Sequence, residues 1–228
     1  MLSAEIVDII AAARNHDWVL EPEALRLLRA AGVPVPRFTW AKSETHAREA
    51  AAGIGYPVVA KVVSPQIMHK SDVQGVQPGI PDAESLTNVY DRFSRLPGFD
   101  GVVVAEMLSG REIIVGAKID FQFGPVILLG IGGTAVEIYN DTVTRMAPLK
   151  ARDIESMLSC LRGRRLLTGY RGFAAVNIPK LAEMMLAFSD LVMELGDRID
   201  SIDLNPVFYS PERCTVADAR IVLASDAK

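Results

Sequence analysis

Cysteine is nearly absent from this chain. Cys160 and Cys214 stand alone and far apart, with no C-x-x-C pair. Neither a disulfide framework nor a zinc site is expected, and both read as reduced thiols. Aromatic residues make up only 7% of the chain, and the net charge is −4. An acidic balance argues against nucleic acid or an anionic membrane surface as the main partner, so any anion site has to be local. No apolar run approaches the roughly 20 residues that cross a bilayer; the longest lies around Pro125 to Ile131. The first residues, MLSAEIVDII, carry an acid early and no basic stretch, which argues against a signal peptide and for a cytoplasmic protein. There is no G-x-G-x-x-G after a first strand and no G-x-x-x-x-G-K-[ST], so the common dinucleotide and P-loop sites are not supported.

What remains is ordinary globular material: 228 residues, half of them hydrophobic and 23% charged. That is enough for one large domain or two lobes. Apolar spacing predicts a helix over residues 3–14 and a second from Pro22 to Gly32. Val33 to Thr39 reads as an extended edge segment because of its prolines. Ser43 is placed to cap a helix ending near Gly55, and Pro81-Asp82 opens another that runs to about Leu96. Strands are expected at 57–63, 101–107, 111–119, 125–129, 135–139 and 142–147. Helices follow over 152–161 and 179–196. Two closing strands, 201–209 and 214–223, are joined at Ser210-Pro211-Glu212. Mixed helices and strands in this order predict an α+β protein with two lobes meeting near residues 101–110.

One stretch concentrates chemistry: YPVVAKVVSPQIMHKSDVQGV, residues 56–76. It opens as a strand that is apolar on both faces, broken only by Lys61. A buried ammonium without a partner is costly, so this lysine is snorkelling, paired, or facing an anion. His69, Lys70, Ser71 and Asp72 follow in a loop. His69 has the chemistry of a general base, a ligand or a phosphoryl acceptor, although a single loop histidine is usually only solvated. The terminal hairpin carries a second constellation. A turn centred on Pro211-Glu212 sets Ser210 opposite Arg213, Asn205 opposite Asp218 and Asp203 opposite Arg220. Opposed residues have Cβ atoms about 4.5–5.5 Å apart, so Asn205 and Asp218, with Asp203 adjacent, suit one hard cation such as Mg²⁺. The plain alternative is a solvated strand face. Between the two halves, Glu106 to Glu112 is placed to read a ligand with backbone groups and a carboxylate, or to be an exposed turn with salt-bridging acids. Gly130-Ile131-Gly132-Gly133 lets backbone N–H groups approach an anion, or marks a bend.

In order, the segments PVVAKVVSPQIMHKSDVQGV, VVAEMLSGREIIVGAKIDFQFGPVILLGIGGTAVEIYNDTVTRMAPL, LLTGYRGFAAVNI, IDLNPVF and VADARIVL resemble the ATP-grasp domain of ADP-forming acetate–CoA ligases. That domain is the β subunit, or the equivalent part of fused acyl-CoA synthetases, and is related to the succinyl-CoA synthetase β subunit. The resemblance covers roughly residues 20–225. It implies an ATP-grasp fold, two lobes clamping a nucleotide: an N-terminal helix at 1–20, a first lobe at 21–105 and a second at 106–228. It implies ATP/ADP and Mg²⁺ as cofactors. By position, Lys61 matches the lysine on the nucleotide phosphates, Glu106 and Met107 fall at the adenine hinge, and Glu112 matches the ribose acid. Gly132 and Gly133 match nucleotide-binding positions. Asn205 and Asp218, with Asp203, match the magnesium ligands. His69 matches a histidine that can accept a phosphoryl group and hand it to ADP, and Arg145 is placed to face phosphate. Where the family usually has glycine, this chain has Gln74. Nothing here resembles a CoA-binding domain, so the resemblance implies a CoA-binding α subunit as partner, and no nucleic acid or membrane. Two other readings stay open: an ATP-grasp carboxylate ligase working through an acyl phosphate without the histidine relay, and a non-catalytic adenylate-binding regulatory subunit.

Overall fold

The computed structural model describes residues 2–133, 141–169 and 175–225. The expected strand at 135–139 lies outside the described residues. In chain order the elements are α1 (Ala4–Ala13), β1 (Trp18–Val19), α2 (Glu21–Ala30), β2 (Phe38–Ala41), α3 (Glu44–Ile54), β3 (Val58–Val62), a 3-10 turn (Lys70–Val73), β4 (Val76–Ile80), α4 (Ala83–Phe93) and β5 (Val102–Glu106). They continue with β6 (Arg111–Asp120), β7 (Gly124–Ile131), β8 (Thr142–Met146), α5 (Ala151–Cys160), α6 (Arg164–Leu167), α7 (Ile178–Leu195), a 3-10 turn (Gly196–Arg198), β9 (Ile199–Tyr209), β10 (Cys214–Val216) and β11 (Ala219–Leu223). No helix among the described residues is long and apolar enough to cross a membrane.

Two compact units emerge. The smaller comprises Leu20–Pro22 and Pro36–Leu108. The larger comprises Met1–Val19, Glu23–Val35 and Ser109–Lys228. Residues 1–19 and 23–35 thus group with the C-terminal part of the chain, which their place in the linear order does not reveal.

The smaller unit is a four-stranded antiparallel sheet in the order β2-β5-β3-β4. Strand side chains alternate between faces. On one face Val58, Ala60 and Val62 meet Ala47 and Ala51 of α3 and Leu86, Val89 and Phe93 of α4. On the other, Val63, Val103 and Ala105 form a second cluster with Leu20, Phe38 and Trp40. This explains why β3 and β5 are apolar without alternation: both faces are covered. The helix caps are local. Ser43 accepts from the His46 amide at 3.2 Å and Asp82 from the Ser85 amide at 2.8 Å, each relieving one of the first-turn donors. The Gln77-Pro78-Gly79 segment, despite its proline and glycine, lies within β4. The sheet tolerates it because β4 is an edge strand and its register with β3 skips there, with Val58 opposite Ile80 and Ala60 opposite Gln77.

The larger unit is built on a seven-stranded antiparallel sheet, β1-β11-β9-β6-β7-β8, with β10 also paired to β9. Helix α7 buries Leu181, Met184, Met185, Phe188, Leu191, Val192 and Leu195, and its Ser189 hydroxyl accepts from the Leu149 amide at 2.8 Å. The short strand β1 was not visible in the sequence; two residues carry no period. The single closing strand expected at 214–223 is two, β10 and β11, separated at Ala217-Asp218. Pairing with β9 nevertheless continues across the gap, because the Asn205 amide donates to the Asp218 carbonyl at 3.2 Å and the Ala217 amide to that of Pro206 at 2.9 Å.

Gln74 ends the first 3-10 turn with φ 52° and ψ 33°, the left-handed region that costs most side chains energy. The neighbouring Gly75 has no room for a side chain: an added Cβ would lie 2.5 Å from a Val62 methyl. We expect Gln74→Gly to raise stability by up to about 1 kcal/mol and Gly75→Ala to lower it. A urea midpoint that moves the other way in either variant would contradict this account.

Candidate functional site

In the smaller unit, β3 positions Lys61 on the face opposite α3 and α4, level with Val103 of β5 and Val76 of β4. The Leu20–Pro22 segment belongs to this unit, and Leu20 packs against the cluster on that face. Lys61 is accordingly only 7% exposed. Its ammonium lies 2.5 Å from Glu21 Oε1, and Glu21 Oε2 lies 2.9 Å from the ammonium of Lys70. The structure shows Lys61 paired with a carboxylate. The pairing carboxylate was not foreseen, because no local pattern links residues 21 and 61.

His69 occupies the residue before the 3-10 turn, and its carbonyl accepts from the Asp72 amide at 3.3 Å. Its side chain is exposed. Glu106, at the end of β5, is held by Arg37: the guanidinium lies 3.2 Å from its carboxylate, and the Glu106 amide donates to the Arg37 carbonyl at 3.0 Å. Both Arg37 contacts lay beyond the sequence analysis. Met107 follows as an exposed apolar side chain, 42% accessible.

In the larger unit, the hairpin adopts the register the turn predicted. Asp203 is opposite Arg220, and the Ser210 amide donates to the Arg213 carbonyl at 2.9 Å. Ile202 and Leu204 are buried while Asp203 and Asn205 lie on the more open face, as a period of two requires. A bulge adds something the sequence did not show. Against β6, Ile113 is level with Val207 and Val115 with Leu204, so Asn205 and Pro206 together oppose Ile114. Such an insertion shifts the alternation and re-aims side chains. Beyond it the buried positions become Val207 and Tyr209.

Burial pushes the Asp203 carboxyl above its ordinary range, Arg220 at 3.7 Å pulls it down, and the like charge of Asp218 pushes it up again. A carboxylate disfavoured in this way, next to a second one, is a setting that a cation would relieve. Among the described residues no three His, Cys, Asp or Glu side chains converge as a metal site. The set is two carboxylates and an amide, few protein oxygens, which suits a hard cation that keeps water and phosphate ligands.

The two other expectations in this unit fare differently. Glu112 and the glycine run are together: Gly133 has φ 86°, and a Cβ placed there would lie 3.8 Å from Glu112 Oε2. The Gly132 amide, however, donates to the Glu112 carbonyl at 2.9 Å. A Cβ on Gly132 would come within 2.5 Å of the Glu112 backbone. Gly132 is therefore a glycine because β6 passes so close, and its N–H is already spent there. This corrects the expectation that it offers that N–H to an anion. Arg145, on β8, is turned onto α5, donating to Ser156 Oγ at 3.0 Å and to the Thr144 carbonyl at 2.9 Å. Cys214 is buried and its thiol is pushed up to about 11, which removes it as a nucleophile.

Comparison with known proteins places the chain in a family. The chain matches the family described as ATP-grasp domain over residues 10–223. It is 40% identical to the β subunit of acetate–CoA ligase (ADP-forming) I of Pyrococcus furiosus, covering 93% of this chain and 94% of that one. It is 36% identical to 4-hydroxybutyrate–CoA ligase (ADP-forming) of Nitrosopumilus maritimus, over 90% of this chain but only 31% of that one. Among solved structures, one of Ca. Korarchaeum cryptofilum acetyl-coenzyme A synthetase 1 superposes with a TM-score of 0.84 at 34% identity, covering 96% of this chain and 99% of that one. That structure holds coenzyme A and Mg-AMPPCP, with its phosphohistidine segment pointing towards the nucleotide binding site.

Because the folded Asp203 carboxyl holds its proton more tightly than the ordinary group, its contribution to stability is present at acid pH and lost as pH rises through the carboxylate range. In metal-free buffer Asp203→Asn should therefore raise Tm at pH 7. The gain should shrink as pH falls through that range. A variant less stable than wild type at pH 7 would show that the Arg220 pairing outweighs burial.

Proposed function

This chain belongs to the ATP-grasp domain family, and on that premise we propose that it is the nucleotide-binding subunit of an ADP-forming acyl-CoA synthetase. The overall reaction interconverts acyl-CoA, ADP and phosphate with carboxylic acid, CoA and ATP. This subunit carries the last step of ATP formation, passing a phosphoryl group from a phosphohistidine to ADP. The observation that carries the reading is the hairpin register: it sets Asp203, Asn205 and Asp218 side by side on the more open face of a buried strand. A carboxylate–amide–carboxylate set there has the chemistry of a Mg·nucleotide site.

Phosphoryl transfer asks a protein mainly for positioning and charge neutralisation. Lys61 serves as the cation facing the phosphates, its charge held within the unit by Glu21. Asn205 and Asp218, with Asp203, are the residues that would hold Mg²⁺, which when bound supplies further neutralisation of phosphate charge. The Glu112 carboxylate, beside Gly133, is suited to accept hydrogen bonds from ribose hydroxyls. Met107 offers an apolar surface to an adenine ring, and Glu106, fixed by Arg37, steadies the chain beside it. Arg145 acts at a phosphate only if it leaves Ser156.

His69 is the phosphoryl acceptor in this reading. Its exposed imidazole, on the turn that leaves β3, is accessible to a phosphohistidine segment. A ring nitrogen attacks phosphorus as the partner's phosphorus–nitrogen bond breaks, and a terminal oxygen of ADP then takes the group, returning His69 to its free form. The partner is a CoA-binding subunit. The Pyrococcus relative is named as a β subunit, whereas the Nitrosopumilus relative carries its matching part within a longer chain, so the partner is either separate or fused. The preceding steps, in which acyl-CoA and phosphate yield acyl phosphate and then phosphohistidine, belong to that partner.

Calorimetry with Mg·ADP should show binding, weakened about tenfold or more by Asn205→Ala or Asp218→Ala with the fold intact; folded wild-type protein that releases no heat would remove the nucleotide site. His69→Ala should abolish phosphoryl capture from a phosphorylated partner. Full activity of that variant would favour a carboxylate ligase working through acyl phosphate without the relay.

A further inference from the structure

The two lysines flanking the β3 loop share one carboxylate. Glu21 is 3% exposed, and the Lys61 and Lys70 side chains are 8% and 12% exposed. The carboxylate oxygens divide between them, Oε1 at 2.5 Å from Lys61 and Oε2 at 2.9 Å from Lys70. An ammonium sealed from water needs a counter-charge, and two side by side need one more. Glu21 supplies a counter-charge to both.

The cluster also reaches the loop. Lys70 is the first residue of the 3-10 turn and follows His69 directly. Its backbone carbonyl accepts from the Gly75 amide at 2.7 Å, and the Gly75 carbonyl accepts from the Val62 amide at 2.8 Å. Those hydrogen bonds fasten the exit of the turn to β3. The Lys70–Glu21 ion pair fastens its entrance, on the side where His69 sits. Without it, the entrance loses a tie to the buried side of the sheet.

We propose that Glu21 is a positioning residue for phosphoryl transfer: an internal counter-ion that keeps Lys61 cationic within the unit and, through Lys70, fixes the turn that presents His69. The inference rests on the ATP-forming reading above. It assigns Glu21 no contact with the nucleotide. It predicts that the two consequences separate, since nucleotide affinity depends on the charge of Lys61, whereas phosphoryl capture also depends on Lys70.

The test uses the complete enzyme with its CoA-binding partner, comparing wild type with Glu21→Gln, Glu21→Asp and Lys70→Met. ATP formation from acyl-CoA, ADP and phosphate gives kcat, and calorimetry with Mg·ADP gives Kd. Glu21→Gln should lose about tenfold or more in both kcat and Mg·ADP affinity. Lys70→Met should lose a similar factor in kcat while its Kd stays within about twofold of wild type. Glu21→Asp should recover part of the affinity lost in Glu21→Gln, because the charge is restored on a shorter arm. A Glu21→Gln enzyme with a lower Tm but wild-type kcat and Kd would show a purely structural acid and overturn the proposal. If Glu21→Gln does not fold, Lys70→Met decides: unchanged kcat overturns the proposal, and a kcat loss at constant Kd supports it. A wild-type assembly that forms no ATP overturns the functional reading and this inference together. An active wild type with indistinguishable variants overturns only the inference.

Discussion

An ammonium on a strand covered on both faces needs a counter-charge, and on β3 Glu21 supplies one. Much of the smaller unit follows from it. The face of the sheet turned away from α3 and α4 would be open if only residues 36–108 formed the unit. The Leu20–Pro22 segment joins it there, adding Leu20 to the apolar cluster and Glu21 to the lysine. Lys70 then draws the following turn onto the same carboxylate. One acid thereby links the start of α2, a central strand and the loop that carries His69. Removing an ion from such a cluster leaves buried charge uncompensated, so its members are coupled rather than additive.

The larger unit uses a different device. Strand β9 is paired on both sides, and its two partnerships differ in register. Towards β10 and β11 the ladder keeps one register from Cys214 to Val222, even where those two strands are separated, and shifts at Leu223. Towards β6 it slips by one residue at Asn205-Pro206. Asn205 therefore sits where the strand bends and its alternation changes phase, while its partner Asp218 stays level across the hairpin. A bulge is a way to turn a side chain off a regular sheet face without giving up the ladder. Asp203, just before it, keeps the ordinary alternation and takes the cost of partial burial, visible in its raised carboxyl. Gly132 shows the opposite economy, its missing side chain serving close approach to β6 rather than a ligand.

Gln74 links this architecture to the resemblance that first suggested a function. The resemblance puts a glycine at that position, and the backbone here is left-handed, the region glycine enters without steric cost. The turn keeps that conformation with a glutamine in place. A glycine there would suit the sharp exit from the 3-10 turn.

Short-range patterns were legible in the sequence by itself. Caps at Ser43 and Asp82, the apolar stripe of α7, the both-faced run of β3 and the register of the terminal hairpin all depend on residues close in sequence or on one tight turn. The hairpin is the strongest case, because a turn at Pro211-Glu212 determines the pairs behind it as far as Val222, Asp203 with Arg220 and Asn205 with Asp218 included. The ordered segments also pointed to the ATP-grasp family, which the chain's match over residues 10–223 bears out. What depended on distant residues was decided only in three dimensions. Lys61 was marked as a charge in need of a partner, but nothing near it named Glu21, which lies 40 residues away. Nor did any local signal say that Arg37 would hold Glu106, that Ser156 would turn Arg145 onto α5, or that Gly132 would spend its N–H on β6. Local propensity and turn geometry act within a few residues. Burial and the pairing of charge act on whatever the folded chain brings alongside, and that is settled by tertiary structure alone.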